Sequence, residues 1–135
     1  RFKTKKKLLD PRKNRLLVVE DTPFFRHIEK NYFESAGFKV SQASNGKEAL
    51  DILLKEPNNI DLIVSDIVMP IMDGYQLVSK IKTNKSLMHI PIYALTSYTE
   101  KEHQEKALAA GFDGYSIKTN KENILKSVTA HITEV

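Results

Sequence analysis

Short runs of consecutive apolar residues, each followed by a stretch with helical spacing, constrain the fold of this chain more than any other feature. Leu16-Leu17-Val18-Val19, Leu62-Ile63-Val64 and the run IPIYALT ending at Thr96 are continuous rather than alternating, the pattern of strands buried on both faces of a parallel sheet. Each run ends in polar residues: Glu20-Asp21, Ser65-Asp66 and Thr96. In DLIVSDIVMPIMDG, from Asp61 to Gly74, the apolar run delivers a single carboxylate, Asp66, into a turn marked by Met69-Pro70 and Asp73-Gly74.

Taken in order, the pattern predicts five strand–helix units. After the first strand, Thr22 caps a helix with Pro23 at its first position. Its apolar face is Phe25, Ile28, Tyr32 and Ala36, and Gly37 stops it. Phe38 to Ala43 alternates as a shorter, less buried strand, and Asn45-Gly46 opens a second helix with Ala49, Leu50, Leu53 and Leu54 facing inward. Asp61 to Asp66 is the third strand, followed by a helix marked by Tyr75, Leu77, Val78 and Ile81. Pro91 to Thr96 is the fourth strand, and a charged helix from about Thr99 to Ala110 ends at Gly111. Gly114 to Lys118 is the fifth strand, and Ile124, Leu125, Val128 and Ile132 line a fifth helix. Alternation of this kind requires right-handed crossovers and an α/β fold with a doubly wound parallel sheet, helices on both faces.

Bulk properties narrow the function classes. One domain fits 135 residues, and the absence of cysteine excludes disulfides, thiolate metal sites and a thiol nucleophile, which suits a cytoplasmic location. The short, charge-interrupted apolar runs predict neither a membrane span nor a membrane partner. Eight of the 21 basic residues precede Leu16, opposed only by Asp10. Residues 16–135 therefore carry thirteen basic against sixteen acidic side chains, a net −3. Residues 1–15 read as a basic linker or arm and residues 16–135 as the domain. A first residue other than Met reads as a fragment once joined to an upstream domain. Nucleic-acid binding through the arm is the less favoured reading.

In an open parallel sheet, ligands bind beyond the carboxyl ends of the strands, where strand order reverses. Glu20 and Asp21 close the first strand, Asp66 the third, Thr96 the fourth and Lys118 the fifth. Three carboxylates in one cleft repel one another unless a cation sits among them, and oxygen-only ligation by a few carboxylates is the Mg²⁺ pattern. A hydroxyl and an ammonium suit the oxygens of a phosphoryl group. His27, His89, His103 and His131 are scattered without ligand spacing.

The chain resembles the receiver domains of two-component response regulators from about Asn14 to Ile132. The resemblance is carried by VVEDTPFFR (Val18 to Arg26), DLIVSDIVMPIMDG, ALTS (Ala94 to Ser97) and GYSIK (Gly114 to Lys118), in that order and spacing. It implies the flavodoxin-like strand order 2-1-3-4-5. It implies that Asp66 accepts a phosphoryl group from the phosphohistidine of a histidine kinase. The Mg²⁺ site would comprise Glu20, Asp21, Asp66 and the backbone carbonyl of Val68. Thr96, Lys118 and the backbone N–H of Ser97 would bind the phosphoryl oxygens, and Tyr115 would be the aromatic that swings when Thr96 shifts.

Departures from the family pattern sharpen the expectation. Thr119 follows Lys118 where the family usually has proline. That replacement and the pair Phe24-Phe25 resemble receivers of hybrid chemotaxis kinases or chemotaxis coupling proteins, which suggests a phosphate sink or feedback element acting on a downstream or same-chain signalling protein. No DNA-binding segment follows Val135, so the receiver half of a transcription factor is not expected. Val68 and Tyr98 lack the short amide or carboxylate that orients water, and slow self-dephosphorylation is expected. Val68 also occupies the place where an aspartyl phosphatase wants its second Asp. The competing reading is a receiver-like protein-interaction module that never becomes phosphorylated.

Overall fold

The computed structural model describes residues 13–96 and 101–117. Five parallel strands, β1 (Arg15–Val19), β2 (Lys39–Ala43), β3 (Leu62–Asp66), β4 (Ile92–Thr96) and β5 (Gly114–Ile117), form one sheet in the order β2-β1-β3-β4-β5. The helices between them are α1 (Pro23–Ser35), α2 (Gly46–Lys55), α3 (Gly74–Lys82) and α4 (Lys101–Ala110). This is the flavodoxin-like arrangement expected. The fifth helix expected around Ile124 to Ile132 lies outside the described residues. No described helix is long and apolar enough to cross a membrane.

Because side chains alternate along a strand, the apolar runs feed two cores. Leu17, Val19, Ile63, Ile92 and Ala94 pack with Ala49 and Leu53 of α2, Leu77, Val78 and Ile81 of α3, and Ala107 of α4. Leu16, Val18, Leu62, Val64, Tyr93 and Leu95 face the other way, against Phe33 of α1 and Phe38. Burial on both faces is why these strands read as unbroken apolar runs. β2, at the sheet edge, is mostly exposed and reads as alternating.

Three local expectations need correction. The inward face of α1 is centred on Phe33 and Glu29, not on Phe25 and Ile28. Tyr32 and Ala36 flank that centre half-buried, while Phe24 and Phe25 stack edge-to-face on each other and remain exposed in the first turn. Periodicity alone does not separate two adjacent stripes of one helix, and α1 meets the sheet through its second half. In α2, Ala49 and Leu53 are buried but Leu54 is exposed.

The third correction concerns the first strand. It starts at Arg15, inside the segment assigned to the arm. Arg15 donates to Asp61 from its backbone N (3.0 Å), Nε (3.0 Å) and Nη2 (3.1 Å), and from Nη1 to Asn59 (3.2 Å). The Asp61 hydrogen bond raises the guanidinium pKa above its ordinary value. Asp61 thus precedes β3 and fixes the amino edge of the sheet, opposite the end where β1 and β3 deliver their carboxylates.

Helix starts follow local chemistry. Asn45 caps α2 by accepting from Glu48 N (2.9 Å), and Asp73 caps α3 in a reciprocal box with Gln76 (2.9 and 3.0 Å). Thr22 occupies the N-cap of α1 with Pro23 behind it but makes no side-chain cap. Its backbone N–H instead donates to Glu20 Oε2 at 3.1 Å. Gly111, at φ 115, ends α4 in the left-handed region as expected.

Candidate functional site

Strand order reverses between β1 and β3, since the chain moves from β1 to β2 on one side and continues from β3 on the other. Val19 pairs with Ser65, so Glu20 and Asp66 emerge side by side at the carboxyl edge. Glu20, Asp21 and Asp66 each bring a carboxylate oxygen within 4.8 Å of the others. Glu20 is 0% and Asp66 6% exposed, and Asp21 is half-buried.

Backbone hydrogen bonds hold the two buried acids. Asp66 Oδ1 accepts from Ile67 N at 2.8 Å, and Glu20 Oε2 from Thr22 N. Three negative charges this close, two of them shielded from water, repel one another and favour a bound cation. The donor set is all oxygen, which fits a hard divalent ion such as Mg²⁺.

Other strand ends complete the edge. Asp66 pairs with Leu95, so Thr96, the last residue of β4, lies one step beyond it at the same end of the sheet. Tyr115 pairs with Ala94 on β5, is half-buried, and donates its hydroxyl to Gln104 Oε1 of α4 at 2.9 Å. Val68 stands two residues past Asp66 with its side chain 62% exposed. Ser97, Tyr98, Lys118 and Thr119, named from the sequence, lie outside the described residues.

The loop between Asp66 and α3 is tightly folded. Gly74 N donates to Ile67 O at 2.7 Å, and a Cβ at Gly74 would lie 2.5 Å from Asp66 O and 2.8 Å from Ile67 Cα. Gly46, at the start of α2, donates to Met72 O at 3.0 Å and passes so close that a Cβ there would fall 2.7 Å from that oxygen. Sequence reading took Asp73-Gly74 only as a turn signal. A cradle that excludes a Cβ depends on a through-space neighbour that the turn signal does not reveal.

Within this loop Ile71 has φ 69 while Met72 N donates to Pro70 O at 2.7 Å, the i to i+2 pattern of a positive-φ γ-turn. A β-branched residue is strained in that region, and Ile71 is 76% exposed, so little packing offsets the strain. Ile71→Gly is therefore expected to stabilise the domain by about 1 kcal/mol, strain relief exceeding the added chain entropy. A thermal melt checks this, and a lower midpoint would mean that the isoleucine contributes packing.

Arg26 was also missed, because a charged residue on a helix carries no local signal of its target. From α1 its Nη1 donates to the backbone carbonyl of Glu20 at 2.7 Å, bracing the loop that carries two of the three acids. Nearby, Ser44 N–H and then Ser44 Oγ–H hold the Glu48 carboxylate below its ordinary pKa, and the charge of Arg26 acts in the same direction.

A doubly wound parallel sheet with a buried acidic cluster at its reversal point defines a class of phosphoryl- or metal-binding module. Residues 16–129 match the profile of the response regulator receiver domain, and the chain belongs to that family. Receiver domains of response regulators are the phosphoacceptor modules of two-component signalling and take their phosphate from histidine kinases. Among curated proteins, the chain is 37% identical over 114 residues to a probable transcriptional regulator, ycf29, of Pyropia yezoensis, covering 84% of this chain and 50% of that protein. It therefore spans about half the length of that relative. Among solved structures, it is similar to the signal receiver domain of a signal transduction histidine kinase from Syntrophus aciditrophicus, with 32% identity, a TM-score of 0.78 and 89% of each chain covered. It is also similar to the chemotaxis response regulator CheY4 of Vibrio cholerae, with 30% identity, a TM-score of 0.78, and 87% of this chain and 97% of that one covered.

Proposed function

We propose that this domain accepts a phosphoryl group on Asp66 from the phosphohistidine of a partner histidine kinase, with Mg²⁺ held by Glu20, Asp21, Asp66 and the backbone carbonyl of Val68. The observation that carries the reading is the convergence of three carboxylates within 4.8 Å where strand order reverses. In the transfer, an Asp66 carboxylate oxygen forms a bond to phosphorus as the N–P bond of the donor breaks. The imidazole nitrogen keeps the electron pair, and an acyl phosphate remains on the aspartate. Bound Mg²⁺ supplies neutralisation of the charge gathered around phosphorus.

The chain's own residues supply alignment. Ile67 N–H fixes the orientation of the Asp66 carboxylate, and Arg26 braces the loop of Glu20 and Asp21. Thr96 and Lys118, with the N–H of Ser97, bind the phosphoryl oxygens in this reading, and Tyr115 reports their occupancy to the surface. A hybrid chemotaxis kinase or coupling protein is the proposed context, with the domain as phosphate sink or feedback element. The Phe24-Phe25 pair, Thr119 after Lys118, and similarity to receivers of a histidine kinase and of chemotaxis support it.

Incubation with acetyl phosphate and Mg²⁺ should add the mass of one phosphoryl group, and chelation of the metal should prevent it. If no gain occurs, the non-phosphorylated interaction module becomes the better reading. Persistence of the acyl phosphate is set beside Asp66, where the exposed, apolar Val68 has no group to orient an attacking water. Val68→Asn is expected to shorten the phosphorylated lifetime several-fold, measured by the decay of the mass-shifted species. An unchanged or longer lifetime would refute that role.

A further inference from the structure

Ser65 interrupts the apolar run of β3 at a position whose surroundings favour an apolar side chain. It is 0% exposed, and its partners across the sheet are Val19 on β1 and Ala94 on β4. A hydroxyl buried among such neighbours carries a desolvation cost unless it is hydrogen-bonded, so the group it reaches is informative. Ser65 Oγ donates to the backbone carbonyl of Asp66, the next residue, at 2.8 Å.

That carbonyl belongs to the peptide unit that also supplies the Ile67 N–H, and the Ile67 N–H donates to Asp66 Oδ1 at 2.8 Å. In a trans peptide the C=O and N–H share one plane and point in opposite directions, so holding one aims the other. The unit lies where the sheet ends, since Asp66 is the last residue of β3 and Ile67 begins the loop to α3. On the carbonyl side, Gly74 leaves the space into which Asp66 O projects, because a Cβ there would lie 2.5 Å from that oxygen. The Ser65 hydroxyl and the start of α3 thus hold the same carbonyl from two directions.

We propose that Ser65 is a positioning residue for Asp66: its hydroxyl fixes the Asp66–Ile67 peptide, and through that peptide the Ile67 N–H sets the direction of the carboxylate. The consequence for phosphoryl transfer rests on the phosphoacceptor reading, whereas the hold on the peptide does not. Without the hydroxyl the peptide rocks about the backbone bonds that flank it, and the Ile67 N–H leaves the carboxylate for part of the time. Transfer depends on in-line alignment of the nucleophile, so a carboxylate that samples other directions reacts more slowly.

Two readouts test this in the wild type, Ser65→Ala, Ser65→Thr and Ser65→Val: hydrogen exchange of the Ile67 amide followed by NMR, and the initial rate of mass gain with acetyl phosphate at saturating Mg²⁺. Ser65→Ala should speed exchange of the Ile67 amide by about fivefold, with the amides of Leu77, Val78 and Ile81 in α3 unchanged. It should slow loading by about tenfold. Threonine and valine differ in the hydroxyl and little in shape. Ser65→Thr should therefore recover most of the wild-type loading rate and Ile67 protection, and Ser65→Val should recover neither. A role in packing alone would lower the thermal midpoint and leave the Ile67 amide and the loading of folded protein at wild-type values. Values within twofold of wild type in Ser65→Ala, slower loading with an unchanged Ile67 amide, or equal behaviour of the threonine and valine variants would overturn the proposal. If the two larger side chains prevent folding, Ser65→Ala decides it. Absence of any mass gain in the wild type would count against the phosphoacceptor reading, and the Ile67 amide would still decide whether Ser65 holds the peptide.

Discussion

Asp66→Asn is expected to abolish covalent loading by acetyl phosphate, with the mass of the variant unchanged after incubation in Mg²⁺. The substitution preserves shape, and its amide oxygen can still accept the Ile67 N–H bond that Asp66 Oδ1 accepts at 2.8 Å. What is lost is the anionic nucleophile and one of three charges within 4.8 Å. An amide oxygen does not form the mixed anhydride, and with one carboxylate fewer the cluster also binds a divalent ion more weakly. Less repulsion remains in the cation-free protein, so the thermal midpoint in chelator should rise rather than fall. Together the two readouts separate loss of chemistry from loss of fold. Retention of the mass gain in this variant would place the phosphoacceptor elsewhere and refute the site.

Gly74→Ala is expected to destabilise the domain by about 3 kcal/mol and to depress loading as well. The Cβ would stand 2.5 Å from the carbonyl oxygen of Asp66 and 2.8 Å from Ile67 Cα. Both obstacles are backbone, so no rotamer change relieves them. Either α3 retreats, losing the packing of Leu77, Val78 and Ile81, or the end of β3 moves and carries Asp66 away from Glu20 and Asp21. Urea unfolding measures the first effect, and the initial rate of mass gain measures the second. Wild-type values for both would show that the loop adjusts freely and that the close approach has no consequence.

Much of this was legible because it is written in neighbouring residues. Continuous runs such as Leu16 to Val19 announce strands covered on both faces, Asn45-Gly46 announces where the second helix begins, and Asp73-Gly74 announces a turn. The acids at strand ends were visible as charges that terminate apolar runs, and their spacing along the chain carried the family resemblance. Tyr32 and Ala36 were placed on the right side of α1, but Phe25 was not, since a period of 3.6 residues fixes a repeat and leaves its phase to the surface it meets. Asp61 read as strand and proved to be the partner of Arg15, across 46 residues of chain.

The sequence by itself determined the order of elements, the two-sided burial of the central strands, and the identity of the acids at their ends, because these depend on local periodicity and on which residue follows the last apolar one. Only the tertiary structure decided that Glu20 and Asp66 stand side by side, that Arg26 reaches the Glu20 carbonyl, that Gly74 has no room for a Cβ, and that Tyr115 is tied to Gln104. Those relations join residues on different elements. Their distances are set by the register of parallel strands and the packing of helices upon them, which no window of neighbouring residues contains.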